Sequence, residues 1–390
     1  MVTAQPSSTG AKKLDYMAIS ADDHIDLGYL PKDLWMQRLP AEFRDQAPHV
    51  EDRGDRGEFW VCEGDVWGEY RSERWFSRPN RSPIALDRGG VGEEGRPITP
   101  EKRMTDMDRD NVEASLMFPP IIAMQVGNPP LRNAIIAAYN DWAADFKKAA
   151  PKRFMPAAML SPLDGEAAAA EVYRAAKLGF QQVNFLVNDV TQDMYLEPWD
   201  PFWRAAEETN TIVSYHVGGS VATNTVRARM RELAESGQRR MAFDMGLGNG
   251  GNSFFEPFVN LFTFGTLERH PGLRFVCGES GTGWIPYVVQ EMDYRFNRLL
   301  ERRSRDDLPI KQLPSEVFKR QVWATYQSDV VGLHLVDFFG DGHMLWASDY
   351  PHPDSTWPWS QDVIESETAH LDPAMKKKII RDNAAALYGL

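Results

Sequence analysis

The chain has 390 residues, 43% of them hydrophobic and 25% charged, and its formal net charge at pH 7 is −13. These values are typical of a globular protein with a large core, and the length fits one α/β barrel with insertions; the acidic balance, without a run of Lys and Arg, argues against nucleic acid as a partner. The two cysteines, Cys62 and Cys277, show no metal-binding spacing and exclude a disulfide scaffold.

The N-terminal segment, residues 1–13, is polar and rich in small residues, and it lacks the apolar core of a signal peptide. No later stretch reaches the roughly eighteen apolar residues of a membrane span. The sequence therefore predicts a cytoplasmic protein without a membrane partner. We expect a flexible leader over residues 1–13 and a single domain over residues 14–390.

Apolar, β-prone runs alternate with segments of helical periodicity along most of the chain. This alternation, with about eight strands, predicts βα units and a (β/α)8 TIM barrel. The predicted strands cover Tyr16–Ser20, Glu113–Phe118, Arg153–Leu160, Gln181–Leu186, Thr211–His216, Leu273–Gly278, Val322–Gln327 and Met344–Ser348. The predicted helices include the Ala-rich stretch that Asp164 caps and that ends near Lys177, and also Pro201–Glu208, Glu256–Glu268 and Trp284–Leu300.

Two segments exceed what a minimal barrel needs. Residues 30–100, after strand one, are rich in Arg, Glu, Gly and Trp and include a predicted hairpin formed by Glu58–Cys62 and Asp65–Tyr70. Residues 217–252, after strand five, end in the Gly-rich run Gly246–Asn252. Both insertions follow the carboxyl ends of strands, where barrels build their active sites, so we expect them to form lids.

A polar cluster, Ser20-Ala21-Asp22-Asp23-His24-Ile25-Asp26, closes the first predicted strand. Alternate side chains of an extended segment share a face, so Asp22 and His24 can point together into the barrel mouth. In an isolated Asp-x-His pair, the aspartate more often caps a turn, and the histidine more often lies on the surface or forms hydrogen bonds inside the fold. The pair therefore gains weight only in combination with other ligand-type residues.

Two further strand ends carry such residues. His216 ends the β-branched run of strand five and precedes Val217 and two glycines, which permit a close approach of backbone or ligand. Asp349 follows strand eight and precedes Tyr350-Pro351-His352-Pro353; alone, it could cap the next helix. Carboxylate and imidazole groups from three strand ends together predict a divalent metal with an open position for water or substrate.

These motifs resemble those of the amidohydrolase-related (amidohydrolase 2) family. The resemblance rests on Asp22-x-His24, His216, Ser348-Asp349-Tyr350-Pro351-His352 and the terminal Asn383-Ala384-Ala385-Ala386-Leu387-Tyr388-Gly389-Leu390. It implies that Asp22, His24, His216 and Asp349 bind the metal. Strand four offers no Lys or carboxylate to bridge a second ion, so one metal is expected. Zn is the first expectation, and the oxygen ligand Asp22, where many relatives have histidine or glutamate, admits Mn or Fe as well.

Glu279 marks the main departure from the family's pattern. The decarboxylases of this family usually offer a histidine after strand six as an acid/base, whereas this chain reads Gly278-Glu279-Ser280-Gly281 there. Glu279 is therefore a candidate catalytic residue, and capping of the helix that begins near Gly281 is an equal alternative. His352 is a second candidate beside Asp349, although between two prolines it could also only shape the loop.

We expect hydrolysis as the main activity. Asp349, which is both ligand and proton acceptor in the superfamily's pattern, would take the proton of a metal-bound water that cleaves an ester, amide, thioester or C–C bond of a small organic acid. The first alternative is a non-oxidative decarboxylase of an aromatic or unsaturated carboxylic acid. An alternative of another class is a non-catalytic ligand-binding barrel. The resemblance further suggests a small-molecule substrate and a homodimer.

Overall fold

The structure is a computed structural model that describes residues 14–70, 99–120, 126–218, 250–352 and 355–390. The predicted leader therefore lies outside the described residues, as do residues 71–98 of the first predicted lid and most of the second. The described strands, in chain order, are β1 (Ala18–His24), β2 (His49–Asp52), β3 (Glu58–Cys62), β4 (Asp65–Glu69), β5 (Val112–Phe118), β6 (Phe154–Pro156), β7 (Ala158–Met159), β8 (Gln182–Leu186), β9 (Ile212–His216), β10 (Phe275–Gly278), β11 (Val322–Tyr326) and β12 (Met344–Trp346).

The parallel strands lie side by side in the order in which the chain makes them. One sheet has the order β1-β5-β6 and another has the order β7-β8-β9-β10-β11-β12, and every neighbouring pair in them is parallel. Only Ala157 separates β6 from β7, so the two form one interrupted strand. Eight parallel strand positions in chain order, joined by helices, make a TIM-barrel-type α/β fold.

The first and last strand positions meet through the loop that follows β12. Within the described residues, β1 and β12 form no ladder of their own. Instead, the backbone N–H of Asp349 donates to Asp22 O at 2.8 Å, and the N–H of His24 donates to Tyr350 O at 2.8 Å. These bonds bring two of the predicted ligand segments into direct contact.

Helices follow most of the parallel strands. They are α1 (Leu34–Arg38), α2 (Pro100–Arg109), α3 (Pro129–Lys147), α4 (Gly165–Lys177), α5 (Asp200–Glu208), α6 (Gly250–Thr263), α7 (Thr266–Arg269), α8 (Ile285–Leu300), α9 (Pro314–Gln321), α10 (Val330–His334), α11 (Val336–Phe339), α12 (Ser360–Glu367), α13 (Pro373–Lys377) and α14 (Asn383–Tyr388). Asp164 caps α4 as predicted, accepting from the N–H groups of Glu166 and Ala167. No helix of the described segments is long and apolar enough to cross a membrane.

Strand β8 shows how alternation separates the outer core from the barrel interior. Phe185 points to the helical layer, where its ring lies 5.1 Å from that of Phe202 in α5. Gln182 and Asn184 point to the opposite face, and both hydrogen-bond Ser214 of β9. Side chains at even positions of β8 therefore face the interior, below the mouth.

The first insertion contains a small antiparallel sheet of order β2-β3-β4. The hairpin β3–β4 was predicted, whereas β2 was not, because its half-exposed sequence His-Val-Glu-Asp has no apolar run. The sheet packs on α1 through tryptophans: the Trp35 ring is 4.9 Å from Trp60 and 5.7 Å from Trp67. Residues 71–98 and 219–249 lie outside the described part, so both lid assignments stay predictions.

Candidate active site

Asp22 and His24 project from the last part of β1. The strand continues to His24 rather than ending at Ser20, because β5 pairs with it as far as Phe118 on one side and the backbone beyond β12 bonds to it on the other. The side chains of both residues are buried, and they lie near each other, with His24 Nε2 3.5 Å from Asp22 Oδ1. The polar segment is therefore extended as predicted, and contacts with distant parts of the chain hold it in this conformation.

His216 ends β9 with its ring turned toward the same point. Its Nδ1 is 2.8 Å from the carbonyl oxygen of Val217, which makes Nδ1 the protonated nitrogen and leaves Nε2 facing the interior. Nε2 is 3.3 Å from Asp22 Oδ1. The ring packs on Phe118, with 4.3 Å between centroids.

Gly278, which pairs with His216 across β9 and β10, leaves room for this packing. A Cβ at position 278 would lie 2.8 Å from Phe118 Cζ and 2.9 Å from His216 Cδ2. Such distances are well inside van der Waals contact, so any larger residue would displace one ring. The site thus requires glycine at position 278 for steric reasons.

Asp349 sits at the tip of the loop after β12 in a left-handed backbone conformation, with φ of 59°. Its carboxylate is fully buried, and Oδ1 lies 3.0 Å from His24 Nε2 and 3.1 Å from His352 Nδ1. Beyond these ion-pair contacts, neither carboxylate oxygen of Asp349 has a hydrogen-bond partner within the described structure, and neither does His24 Nε2. Buried polar atoms left in this state are costly unless a ligand completes them.

These orphaned atoms fit a divalent cation. Potential ligand atoms of Asp22, His24 and His216 lie within 4.8 Å of one another, and so do those of His24, Glu279, Asp349 and His352. His24 belongs to both groups, so all six predicted site residues form one cluster. A mixed set of imidazole and carboxylate donors suits Zn, Mn or Fe.

Glu279 occupies a tight turn directly after β10, also in the left-handed region, with φ of 52°. Its backbone N–H donates to Asp22 Oδ2 at 2.6 Å, and its carboxylate Oε2 is 3.5 Å from His216 Nε2. Capping of the next helix is not its role, because α8 begins only at Ile285. The N–H groups of that turn are bound instead by Asp329, at 2.6 Å from Thr282 N.

The pKa values of the two acidic groups Glu279 and Asp26 are shifted in opposite directions. Burial, together with repulsion from the carboxylates of Asp349 and Asp22, raises the pKa of Glu279 to about 8. Burial also acts to raise the pKa of Asp26, but the neighbouring His352 more than offsets it, so that the pKa of Asp26 is lowered. Glu279 thus holds a proton more readily than an ordinary glutamate.

The three histidines differ as well. Burial lowers the pKa of His24 well below its usual value, and His352 and His216 add to this effect. Burial opposes a charge on His216 too, but Asp22 and Glu279 beside it raise the pKa of His216 to about 9. His352, held between Asp349 and Asp26, has a pKa raised well above the usual value despite burial. Its ring stacks on that of His24, with 3.6 Å between centroids.

Three residues of the site were missed by the sequence analysis. Thr325 of β11 donates its hydroxyl to Asp22 Oδ2 at 2.7 Å. Asp26 accepts from His352 Nε2 at 3.1 Å. Asp23 accepts from the hydroxyls of Ser20, at 2.8 Å, and Ser348, at 2.5 Å. Asp23 and Asp26 belong to the polar cluster already singled out, whereas nothing in the sequence around Thr325 marks it.

A model of the family described as Amidohydrolase matches residues 58–390 of this sequence, which is most of the chain. The chain belongs to the amidohydrolase family. The match includes His216, Glu279, Asp349 and His352, whereas the Asp22-x-His24 motif lies before it. Membership identifies the chain as an enzyme.

Two curated relatives of this amidohydrolase are γ-resorcylate decarboxylases. The protein from Polaromonas sp. is 25% identical over 306 residues, covering 74% of this chain and 87% of the relative. The protein from Rhodococcus jostii is 27% identical over 311 residues, with the same two coverages.

Solved structures agree on the fold. An amidohydrolase from Mycobacterium avium subsp. paratuberculosis superposes with a TM-score of 0.73 at 19% identity, covering 97% of this chain and 99% of the other. A 5-carboxyvanillate decarboxylase from Novosphingobium aromaticivorans, solved with manganese and a nitrobenzoic acid, gives a TM-score of 0.65 at 18% identity, with coverages of 96% and 98%. At these identities the likeness establishes the TIM-barrel-type α/β fold of this amidohydrolase.

Proposed function

We propose that this amidohydrolase is a metal-dependent, non-oxidative decarboxylase of an aromatic carboxylic acid. The observation that carries the proposal is the convergence of carboxylates and imidazoles at the barrel mouth, in a chain whose curated relatives are decarboxylases. Hydrolysis, the main expectation from sequence, rested on the missing histidine after strand six. The position instead holds a titratable acid, Glu279, whose carboxylate is directed at the site. The missing histidine is therefore no longer a reason to prefer hydrolysis over decarboxylation.

Asp22, His24, His216 and Asp349 would hold one divalent ion. Manganese-containing structures of two decarboxylases are similar to this chain, which favours Mn²⁺ beside the Zn²⁺ expected first. When bound, the ion supplies a Lewis-acid anchor for the substrate's carboxylate and neutralises charge at the mouth. Thr325 and the Glu279 N–H hold Asp22 Oδ2, which leaves Oδ1 directed at the two histidines.

Glu279 would deliver the proton that decarboxylation consumes. Its carboxyl O–H protonates the ring carbon that bears the carboxylate, and the bond between that carbon and the carboxylate then breaks. The electron pair of the broken bond restores the ring and CO₂ leaves, so one proton enters the product for each CO₂ released. Glu279 regains its proton from solvent, and His352, bound to Asp26 and Asp349, holds the Asp349 carboxylate in place.

Closure of the site and assembly are further parts of the proposal. The insertions at about 30–100 and 217–252 would act as lids that exclude water from the mouth, since they follow the strands that carry Asp22, His24 and His216. A homodimer is proposed from the family resemblance alone.

The test is a pair of assays on protein reconstituted with Mn²⁺ or Zn²⁺. A panel of carboxyl-labelled hydroxybenzoates and methoxybenzoates is followed for released CO₂, and a parallel panel of esters, amides and thioesters is followed for hydrolysis. Metal-dependent CO₂ release without hydrolysis is the expected result. Hydrolysis of any of these bonds with no CO₂ from the acids would overturn the proposal in favour of the hydrolase.

Variants assign the roles. Asp349→Asn and Glu279→Gln should each abolish CO₂ release, but only Asp349→Asn should weaken metal binding strongly, because Glu279 acts as the acid rather than as a ligand. Asp108→Asn is the control, because the Asp108 side chain is 62% exposed and lies outside the cluster, and it should keep both CO₂ release and metal binding. Undiminished CO₂ release from Glu279→Gln would exclude Glu279 as the acid.

A further inference from the structure

The joint between the first and last strand positions carries two of the proposed metal ligands. His24 ends β1 and Asp349 follows β12, and within the described residues these two strands form no ladder. Backbone hydrogen bonds join the two segments, from His24 N–H to Tyr350 O and from Asp349 N–H to Asp22 O. A side chain that binds both segments would therefore fix the two ligands relative to each other.

Arg103 of α2 binds both segments. Its Nη2 donates to the backbone carbonyl oxygen of His24, and its guanidinium carbon lies 5.2 Å from the centre of the Tyr350 ring. The same helix holds Tyr350 a second time, because Asp106, one turn further on, accepts from the Tyr350 hydroxyl. Helix α2 thus reaches across the joint from His24 to the loop that carries Asp349.

The guanidinium of Arg103 is buried without an ion pair. The residue is 1% exposed, no carboxylate of the described residues pairs with it, and its Nη1 has no hydrogen-bond partner among them. A buried charge in this state is costly, and an apolar side chain of similar volume often stabilises a fold equally well or better. Stability alone therefore does not account for an arginine at this position.

Asp23 offers a second explanation for the charge. Burial raises the pKa of Asp23 to about 6, and the positive charge of Arg103 acts against that rise. As a counter-charge alone, Arg103 would be replaceable by lysine. The guanidinium is planar, however, and it donates to His24 while it lies over the Tyr350 ring, which the compact ammonium group of lysine cannot do at once.

We infer that Arg103 is a positioning residue, which fixes the backbone of His24 against the loop that carries Asp349 and so sets the geometry of both ligands. The inference rests on the proposed function, because His24 and Asp349 are ligands only if the site holds a metal. It predicts a change in metal affinity opposite in sign to the effect of charge. A positive charge near the site repels a divalent cation, so its removal alone would strengthen binding, whereas loss of positioning weakens it.

Calorimetric titration of the metal-free protein with Mn²⁺ measures this sign. Arg103→Met should bind Mn²⁺ about 10–100-fold more weakly than the wild type, which is the usual range when a residue that orients a ligand is lost. Arg103→Lys keeps the charge without the planar group, so its affinity should fall between the two. The visible absorption bands of the Co²⁺-loaded protein report coordination geometry and should shift in both variants.

Arg274→Met is the matched control. Arg274 also donates to backbone carbonyl oxygens, those of Asn210 and Leu387, but it precedes β10 and so lies at the opposite end of the barrel from the site. Its replacement should lower the midpoint of urea unfolding, as that of Arg103 should. The Mn²⁺ affinity and the Co²⁺ bands of Arg274→Met should match those of the wild type.

Two results would overturn the inference. One is a folded Arg103→Met protein that binds Mn²⁺ as tightly as the wild type or more tightly. The other, which decides if the methionine variant does not fold, is an Arg103→Lys protein with wild-type affinity and wild-type Co²⁺ bands.

The proposed function fails separately. A wild type that binds Mn²⁺ but releases no CO₂ refutes decarboxylation, and weaker binding by Arg103→Met then still supports the positioning role. CO₂ release by the wild type, with unchanged Mn²⁺ affinity in the Arg103 variants, refutes the positioning role alone. A wild type that binds no divalent ion refutes both.

Discussion

Asp23 is the residue whose replacement tests how the fold holds Asp349. Its buried carboxylate joins three strand positions, because it accepts from Ser20 in β1, from Ser115 in β5 and from Ser348 just beyond β12. It also accepts from the backbone N–H of Tyr350 at 3.0 Å. Asp349 therefore lies between two residues that Asp23 binds directly, and its left-handed backbone is fixed from both sides.

The cost of Asp23→Ala follows from these bonds. Each hydrogen bond to a charged acceptor contributes about 1.5–3 kcal/mol, but the serine hydroxyls can turn to other acceptors and the removed carboxylate was itself costly to bury. The Tyr350 N–H cannot turn, so we expect a net loss of about 3 kcal/mol in the free energy of unfolding. Loss of a residue that orients a metal ligand typically weakens metal binding by about 10–100-fold. Asp23→Asn keeps one acceptor oxygen, so it should lose less unfolding free energy and less metal affinity than Asp23→Ala.

Urea unfolding and metal titration of the same proteins measure the two effects. Asp108→Ala is the control, because the Asp108 side chain is 62% exposed and should change neither quantity. A variant of Asp23 that loses stability but binds Mn²⁺ as tightly as the wild type would refute the reasoning. It would show that Asp23 supports the barrel without positioning Asp349.

Three further outcomes are expected. Gly278→Ala should weaken metal binding and lower the free energy of unfolding by about 1–3 kcal/mol, because the new Cβ meets Phe118 and His216. Gly342→Ala is the control, since a Cβ there meets open space and should change neither quantity. Burial raises the pKa of Asp110 to about 8, above the unfolded value of about 4, so ionisation of Asp110 destabilises the folded state progressively between these values. The thermal stability of Asp110→Asn should therefore equal that of the wild type near pH 4 and exceed it near pH 8. A difference in Tm that stays constant between these pH values would contradict the raised pKa of Asp110. Chelation should lower the Tm, and added Mn²⁺ or Zn²⁺ should restore it in the wild type but not in Asp349→Asn; equal recovery in that variant would remove Asp349 from the ligand set.

The parallel strands could be predicted because each of them buries a short apolar run. His216 and Asp349 could be placed for the same reason, since a polar residue that ends such a run must lie at the mouth. The end of β1 was placed too early, at Ser20, because Asp22-Asp23-His24 reads as a turn. It is extended because β5 pairs with it on one side and the backbone of Asp349 and Tyr350 bonds to it on the other, and no local pattern predicts those contacts.

Glu279 illustrates the same limit. Local sequence left capping and catalysis equally weighted, since a glutamate before a helix suits either role. The decision depends on Asp329, fifty positions further along, which takes the N–H groups of the turn and leaves the Glu279 carboxylate to the site. Thr325 and the partnership of His352 with Asp26 are likewise set by which strand ends converge.

The glutamate at this position changes how the proposed reaction handles charge. A protonated histidine that gives its proton to an anionic substrate cancels two opposite charges, whereas neutral Glu279 takes over the negative charge that leaves with the substrate's carboxylate. With glutamate, one negative charge therefore remains in the mouth after the step and moves from the substrate's carboxylate to Glu279, whereas with histidine the charged pair would become two neutral groups. The new carboxylate forms at a buried position, and burial, the largest cause of the raised pKa of Glu279, favours uptake of a proton from solvent. Burial of Glu279 thus helps to restore the acid after each turnover.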